Sequence, residues 1–262
     1  AGAIMVSTYT SLYFLWYADY PQSKFHWIND NHEWLQMDKF GHAITTYHLS
    51  RFSYDILHWS GLNNNQSAIY GGLAGFAGIY LIEVFDGFSD GWGASSGDII
   101  ADFSGSALFT AQQILWKEQR LAMKFSFHRT DFAAYNPAML GNGFVQEVLK
   151  DYNGQTIWLT ANISTFLPDE SRFPKWINLA VGYGADGMLG ANGNLSVINE
   201  EPLPYFERKR QFYLSADIDL KRIPVRSKGL RTFLSILNIV KIPMPTLEID
   251  QNGKVRFWPL YF

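Results

Sequence analysis

Seven ionisable side chains lie at helical spacing within otherwise apolar stretches of the sequence. Most of them are separated by three or four residues, so neighbouring members share one face of a helix. Because charge is costly to bury unless it is paired, hydrogen-bonded or bound to a metal, we expect these side chains to face one another. The candidate polar cluster consists of Asp38, Lys39, His42, Glu83, Asp86, Asp98 and Asp102.

Two kinds of chemistry fit this set of side chains. Carboxylates with one histidine could bind a divalent metal or transfer protons in an acid–base reaction. The metal would be Mg²⁺, Mn²⁺ or Ca²⁺ rather than Zn²⁺, which usually takes more histidine or cysteine ligands. The same residues could instead form a buried hydrogen-bonded contact that holds helices together. No nucleophile motif or complete metal-ligand motif is present, so the sequence favours the structural role, without a cofactor, and assigns no catalytic residue.

We expect different roles for the individual members of the cluster. Asp98 follows Ser95 by three residues, a capping-box-like helix start, so a role at the helix terminus is enough to explain Asp98 alone. Asp102 lies one turn further along and cannot be explained in this way. Glu83 ends a long apolar run and needs a partner, for which Lys39 is the candidate. The remaining histidines show no ligand spacing and are expected at the surface or in turns: His26, His32, His48, His58 and His128.

The residues of the cluster must be positioned by helices, which are predicted between residues 38 and 122. Asp38 can begin a helix that runs to about residue 58. A second helix is predicted over about 66–85, and a third from Ser95 to about residue 116. The uncharged stretch Ser67–Ile82 suits a buried core helix better than a membrane-embedded one, and Ala1–Tyr17 is a second uncharged stretch of similar length.

After residue 122 the hydrophobic pattern changes to a period of two. This alternation is typical of strands with one apolar and one more polar face. We count five or six strands, a hairpin at Asn252-Gly253, and a short helix over about 227–240. Strands of 9–11 residues suit a membrane barrel as well as a soluble sandwich. The alternation is clearest in Ile157–Ser164, Ile177–Tyr183 and Phe212–Leu220.

Composition and charge also divide the chain into parts of different character. Residues 1–122 carry a net charge of −6 and residues 123–262 a net charge of +3. The predicted fold is therefore α+β, with an apolar N-terminal segment and aromatic linker over 1–37, a helical region over 38–122 and an antiparallel β-rich region over 123–262. Aromatic residues make up 16% of the chain, and Trp and Tyr collect at membrane interfaces, so membrane embedding is one expectation.

Several classes of function are excluded or disfavoured by composition. The chain contains no cysteine, which rules out disulfides, thiolate metal sites and a lipid anchor on cysteine in this sequence. An isoelectric point near 6.1 without a basic stripe argues against binding to nucleic acid. The chain begins with Ala rather than Met, which favours the removal of a signal peptide.

The cluster and its spacing resemble the YfiM-like family of envelope lipoproteins, for which no established activity can be carried over. A weaker similarity extends to VanZ-like membrane proteins, which pair an Asp-Lys-x-x-His start with a later acidic residue and an Asp-rich final helix. The resemblance covers about residues 34–116, and the chain departs from the family by its long β-rich extension and by the absence of a lipidation cysteine. The aromatic run Phe25–Asp38 and the ending Tyr261-Phe262 resemble larger versions of the family found in Bacteroidota. The terminal Phe262 resembles the assembly signal of outer-membrane barrels. The matching residues are Asp38, Lys39, His42, Glu83, Asp86, Ser95, Asp98, Asp102 and Gly105.

From the cluster and the resemblance we predict a structural or accessory protein of the bacterial cell envelope, associated with the outer membrane. Its expected partners are membrane lipid and other outer-membrane proteins, as a subunit of a complex, and no nucleic acid. Two alternatives remain open. One is a metal-dependent or acid–base hydrolase that acts on an envelope substrate. The other is a module that binds a lipid or a peptide between the helical and β-rich parts.

Overall fold

The protein is represented by a computed structural model that describes residue 10 and residues 21–168, 170–198 and 200–262. Apart from Thr10, the predicted apolar segment Ala1–Tyr17 lies outside the described residues. A helical region is followed by an antiparallel sheet of six strands, which confirms the predicted α+β class.

Three long helices form the first part of the fold. A short strand and a 3₁₀ turn (Glu33–Gln36) precede them, and a second short strand pairs in parallel with the first. Asn63 caps the second helix, because its side chain accepts a hydrogen bond from the backbone N–H of Gln66. In chain order the elements are β1 (Trp27–Ile28), α1 (Met37–Trp59), α2 (Asn64–Gly87), β2 (Ala94–Ser95) and α3 (Ser96–Leu115).

Glycines allow the three helices to approach one another closely. A Cβ atom placed on Gly75 of α2 would lie 2.2 Å from Ser50 Oγ of α1, and one on Gly105 of α3 would lie 2.1 Å from the carbonyl oxygen of Ala43. Side chains at these positions would force the helices apart. Glycines at these positions therefore serve helix packing.

Among the described helices, α2 is the one whose length and composition would allow it to cross a membrane. Its glycine-rich face is buried against α1 and α3. A core helix of a globular protein passes the same test of length and composition, so this property alone does not define a membrane span.

The β-rich part begins at Leu121, within two residues of the predicted boundary. Its elements in chain order are β3 (Leu121–Phe127), α4 (Phe132–Tyr135), α5 (Pro137–Leu140), α6 (Phe144–Lys150), β4 (Gln155–Asn162), β5 (Ile177–Asp186), β6 (Val197–Ile198), β7 (Glu201–Pro202), β8 (Lys209–Ile218), α7 (Lys228–Leu237), β9 (Met244–Asp250) and β10 (Val255–Tyr261). The six-stranded sheet has the order β10-β9-β8-β5-β4-β3, with every neighbouring pair antiparallel. The hairpin predicted at Asn252-Gly253 is present, and Gly253 adopts a φ of +79°, which favours glycine.

The sheet buries its polar face. Lys124 of β3 and Asp217 of β8 form an ion pair of 2.7 Å in which both side chains are fully buried. On the same face, the Tyr261 hydroxyl group donates to Tyr213 and lies 3.1 Å from Thr156 Oγ1, which links β10, β8 and β4. Because these strands are not all neighbours in the sheet, their contacts show that it curls around its polar face.

The opposite face of the sheet carries large apolar side chains that remain exposed. They lie directly across from one another on adjacent strands, as in the pairs Val181–Leu214 and Leu214–Leu247. A contiguous apolar surface of this kind is uncommon on monomeric soluble proteins. This outer apolar face consists of Leu159, Leu179, Val181, Phe212, Leu214, Leu247, Ile249, Val255 and Phe257.

One apolar core connects the helical and β-rich parts. Met37 and Ile44 of α1 belong to the same buried cluster as Met123 of β3 and Ile157 of β4. Leu189, in the connection that follows β5, also belongs to it. The helices that carry the candidate cluster are therefore packed directly against one end of the sheet.

Candidate functional site

The candidate site is centred on Lys39 in the first turn of α1. Its Nζ atom lies 2.7 Å from a carboxylate oxygen of Asp30 and 2.7 Å from one of Asp98, and 3.3 Å from Asp38. Burial opposes the charge on Lys39, but these three carboxylates outweigh it and hold the lysine pKa above its ordinary value. Lys39 is thus a charged group shared by α1, α3 and the segment after β1.

His42 lies one turn after Asp38 and points towards α2 and α3. Its Nδ1 atom is 3.1 Å from Asp102 Oδ1, whereas Nε2 is 3.8 Å from Glu83 Oε1 and 3.9 Å from Asp98 Oδ1. Burial lowers the pKa of His42, but the hydrogen bond to Asp102 and the charges of Asp38 and Asp98 raise it to about 10. At neutral pH His42 is therefore an imidazolium cation surrounded by carboxylates.

Asp102 is fully buried in the second turn of α3. Its Oδ1 atom accepts a hydrogen bond of 2.9 Å from Thr46 Oγ1 and contacts His42. Its Oδ2 atom has no hydrogen-bond partner among the described residues. The position agrees with the prediction that Asp102 is not a helix cap.

The prediction that Glu83 pairs with Lys39 is wrong. Glu83 Oε2 accepts a hydrogen bond of 2.9 Å from the backbone N–H of Ser95, and Oε1 faces His42. Lys39 contacts three other carboxylates and pairs with Asp98 instead of Glu83. Burial and, to a smaller extent, the charge of the half-buried Asp86 raise the pKa of Glu83 to about 7, although the hydrogen bond from Ser95 and the charge of His42 oppose this shift.

Asp98 lies in the first turn of α3, as the capping-box-like spacing predicts, but a role at the helix terminus is not enough to explain it. The Ser95 hydroxyl group already accepts hydrogen bonds from the backbone N–H groups of Gly97 and Asp98, so the start of α3 is capped. The Asp98 carboxylate is buried and points to Lys39 instead. Burial and the nearby charge of Asp38 raise the pKa of Asp98, although Lys39 and His42 oppose this shift.

Three residues of the site were missed by the sequence analysis: Thr46, whose hydroxyl group donates to Asp102, Asp30 and Tyr152. Asp30 follows β1, where it pairs with Lys39 and accepts a hydrogen bond from the Ser95 hydroxyl group. Tyr152 lies between α6 and β4, and its hydroxyl group donates to Asp38 Oδ1 at 2.7 Å. Asp30 sits in a short polar stretch with no helical spacing to the cluster, and Tyr152 is more than a hundred residues away in sequence, so neither gave a local signal.

The expectation that His48 lies at the surface or in a turn is wrong, because its side chain is buried. Its Nε2 atom is 2.9 Å from the carbonyl oxygen of Met123. Burial and the charge of Arg51 lower the pKa of His48 to about 3. His48 is therefore a neutral residue of the contact between α1 and β3 and does not belong to the candidate site.

The site has donor atoms for a metal as well as for ion pairs. Asp38, His42 and Asp98 each offer one ligand atom, and these atoms all lie within 4.8 Å of one another. Two carboxylates and an imidazole suit a divalent cation with oxygen preference. Metal binding would require a neutral imidazole and would compete with Lys39 for two of the carboxylates.

Comparison with known proteins gives one match. Residues 26–113, which include the whole candidate site except Tyr152, are similar to a family described as predicted periplasmic lipoproteins (DUF2279). No curated protein and no solved structure matches the chain. The family match supports the expected location in the cell envelope and the resemblance to envelope lipoproteins. It does not distinguish a YfiM-like from a VanZ-like relationship.

Proposed function

We propose that this chain is a structural accessory protein of the cell envelope, held at the outer membrane, in which the charged cluster joins the three helices. The observation that carries the proposal is that two cations of α1, Lys39 and His42, contact acidic residues of other segments. Lys39 binds carboxylates from three segments, and His42 contacts Asp102 of α3 and faces Glu83 of α2. Partners on several elements are what a structural contact requires, since each ion pair connects one segment to another.

The outer apolar face of the sheet supports the membrane location. Its exposed side chains are Leu, Ile, Val and Phe, whereas the buried face carries the Lys124–Asp217 ion pair. A sheet in water has the reverse arrangement, because apolar side chains are buried away from solvent. Lipid hydrocarbon around the outer face would make it favourable for the apolar side chains to lie outside and the polar ones inside. We therefore place this face against the lipid of the outer membrane.

Fractionation of cells that produce the native protein tests the membrane location. The wild type should sediment with outer membranes and require detergent for release. Replacing the cross-strand pair by Leu214→Gln and Leu247→Gln should lower the membrane-bound fraction, whereas Leu214→Ile and Leu247→Ile, which keep the face apolar, should not. A native protein that stays soluble without detergent would contradict the proposal.

A second candidate function is a metal-dependent hydrolase, favoured by one specific observation. The ligand atoms of Asp38, His42 and Asp98 are close together, and Glu83 Oε1 and Asp102 Oδ2 lack hydrogen-bond partners among the described residues. An added divalent cation could satisfy such oxygens. An envelope substrate would then be attacked by a water molecule activated on the metal.

Metal analysis and melting curves separate the two functions. For the structural role, EDTA and added Mg²⁺, Mn²⁺ or Ca²⁺ should leave the melting temperature of the purified protein unchanged. For the hydrolase, the cation should raise the melting temperature of the wild type and not that of Asp38→Asn, because a ligand that binds only the folded state stabilises it. Asp55→Asn is the matched control, since Asp55 is exposed on the same helix.

The third possibility, a lipid- or peptide-binding module between the two parts, gains no support from the described residues. The helical and β-rich parts meet there in a continuous apolar core that includes Met37 and Ile157.

A further inference from the structure

Helix α7 carries an apolar stripe that stays largely exposed among the described residues. Leu230, Phe233 and Leu237 follow one another at intervals of three and four residues, the spacing of a single helix face, and the partly buried Leu234 lies at its edge. No residue of α7 is buried, and Leu230, Phe233, Ile236 and Leu237 are between 39% and 56% exposed. An amphipathic helix normally buries such a face against its own protein.

Contacts on the polar side of α7 determine the orientation of this helix. The guanidinium group of Arg51, buried in α1, donates hydrogen bonds to the backbone carbonyl and to the hydroxyl group of Ser235, at 3.0 and 2.7 Å. Ser235 lies on the side of the helix opposite Phe233 and Leu237, because successive residues turn by about 100°. Attachment through Ser235 therefore directs the apolar stripe away from the protein.

Basic residues surround the first half of this helix. Arg226, Lys228 and Arg231 are exposed, and none of them has an acidic partner among the described residues. The sequence contains no acidic residue between Leu220 and Leu247. By the same 100° rotation, Lys228 and Arg231 lie on the polar side of α7, away from the stripe. An amphipathic helix with an exposed apolar stripe on one side and unpaired cations on its polar side is the pattern of helices that lie in the interface of an anionic membrane.

We propose that α7 lies in the interfacial layer of a bilayer that contains anionic lipid. The apolar stripe enters the acyl-chain boundary, and Arg226, Lys228 and Arg231 contact the anionic headgroups. This inference rests on the proposed membrane location and adds to it a site with a preference for headgroup charge. The outer apolar face of the sheet has no such preference, because its exposed residues are uncharged hydrocarbons and aromatics.

Flotation of the purified protein with lipid vesicles tests this proposal. The vesicles contain phosphatidylcholine alone or phosphatidylcholine with about a third phosphatidylglycerol. Each basic residue near an anionic surface contributes roughly fivefold to the partition coefficient, so Arg226→Gln, Lys228→Gln and Arg231→Gln together should weaken binding to the anionic vesicles on the order of 100-fold at low salt. Phe233→Ser with Leu237→Ser should weaken binding to both kinds of vesicle.

The matched control removes the same charge elsewhere. Arg172→Gln, Lys175→Gln and Lys254→Gln change three exposed basic residues outside α7 and should leave binding nearly unchanged. Circular dichroism checks that every variant is folded. Equal binding of the wild type to both kinds of vesicle, or equal losses in the two triple variants, would overturn the role of α7 while the membrane location stands. Failure of the wild type to float with any vesicle would overturn the membrane location as well.

Discussion

At the scale of single residues, the buried carboxylates of the cluster and the cations Lys39 and His42 depend on one another for their charge. Asp102 is fully buried and contacts His42 and Thr46, so it cannot be solvated if a partner is lost. A buried ion pair need not add net stability compared with an apolar pair of the same shape, but removal of one partner is strongly destabilising. The substitutions that truncate one partner are therefore the informative ones.

Asp102→Ala should lower the free energy of unfolding by roughly 3–5 kcal/mol, because it leaves the His42 cation buried without its hydrogen-bond acceptor. Asp102→Asn keeps the shape and an acceptor oxygen, so its loss should be smaller. Melting curves of the wild type and both variants in detergent measure the difference. An unchanged or raised melting temperature for Asp102→Ala, together with a lost cellular phenotype, would favour the hydrolase, since active-site polar groups are often kept at the expense of stability.

The charge of His42 predicts a pH dependence of stability. Its pKa is raised from 6.5 to about 10 in the folded protein. The stabilising contribution of the charged imidazole is therefore complete below about pH 6.5 and is lost as the pH rises through about 10. The imidazole resonances in NMR spectra should still report a protonated ring at pH 8. A titration midpoint near 6.5 would show that the carboxylates do not act on His42 as described.

At the scale of elements, the cluster can form only because the helices approach closely. Gly105 of α3 faces the backbone of Ala43 in α1, next to His42. The residues that carry the family resemblance thus include Gly105, which serves helix packing, as well as charged side chains. The short pairing of β1 with β2 has a comparable effect, since it brings Asp30 to the start of α3.

Gly105→Ala should destabilise the protein by about 1–3 kcal/mol, because the added Cβ atom would overlap the Ala43 carbonyl group. Gly41→Ala is the control in the same region. A Cβ at Gly41 meets no atom within 4 Å, so alanine should stabilise α1 by up to about 1 kcal/mol. Denaturant unfolding of both variants measures the contrast, and equal effects would contradict the packing role of Gly105.

At the scale of the whole molecule, the apolar core crosses the boundary between the helical and β-rich parts. Met37, which is fully buried, belongs to the core shared with Met123 and Ile157. Two parts that share one core should unfold together, as single cooperative units do. The two parts differ in net charge, but they do not form two independently folded domains.

Met37→Ala should therefore lower the stability of both parts by about 2–5 kcal/mol, the usual cost of a large-to-small change in a core. Far-ultraviolet circular dichroism is dominated by the helices, whereas tryptophan fluorescence reports both parts, through Trp34 and Trp59 on the helical side and buried Trp158 in the sheet. The two signals should follow one transition in the wild type and in the variant. Two separate transitions, with only the helical one shifted, would contradict a shared core.

Local patterns in the sequence were enough to predict the elements and most of the residues near the site. Helical spacing and capping residues predicted α1, α2 and α3 to within about two residues, and the period of two predicted the strands of the sheet. Such signals depend on neighbours three, four or two positions away. The short helices α4, α5 and α6 have too few residues for a period and were not predicted.

Pairing between distant residues was decided only by the tertiary structure. Lys39 had several acidic residues within possible reach, and only the packed helices determine that it binds Asp30 and Asp98 rather than Glu83. Alternation in a strand shows that its two faces differ, but which face is buried depends on how the sheet curls. The sequence by itself thus determined the α+β class, the helices and the candidate charges. The tertiary structure decided the partners of those charges and left the apolar face outside, because both depend on contacts between residues far apart in the chain.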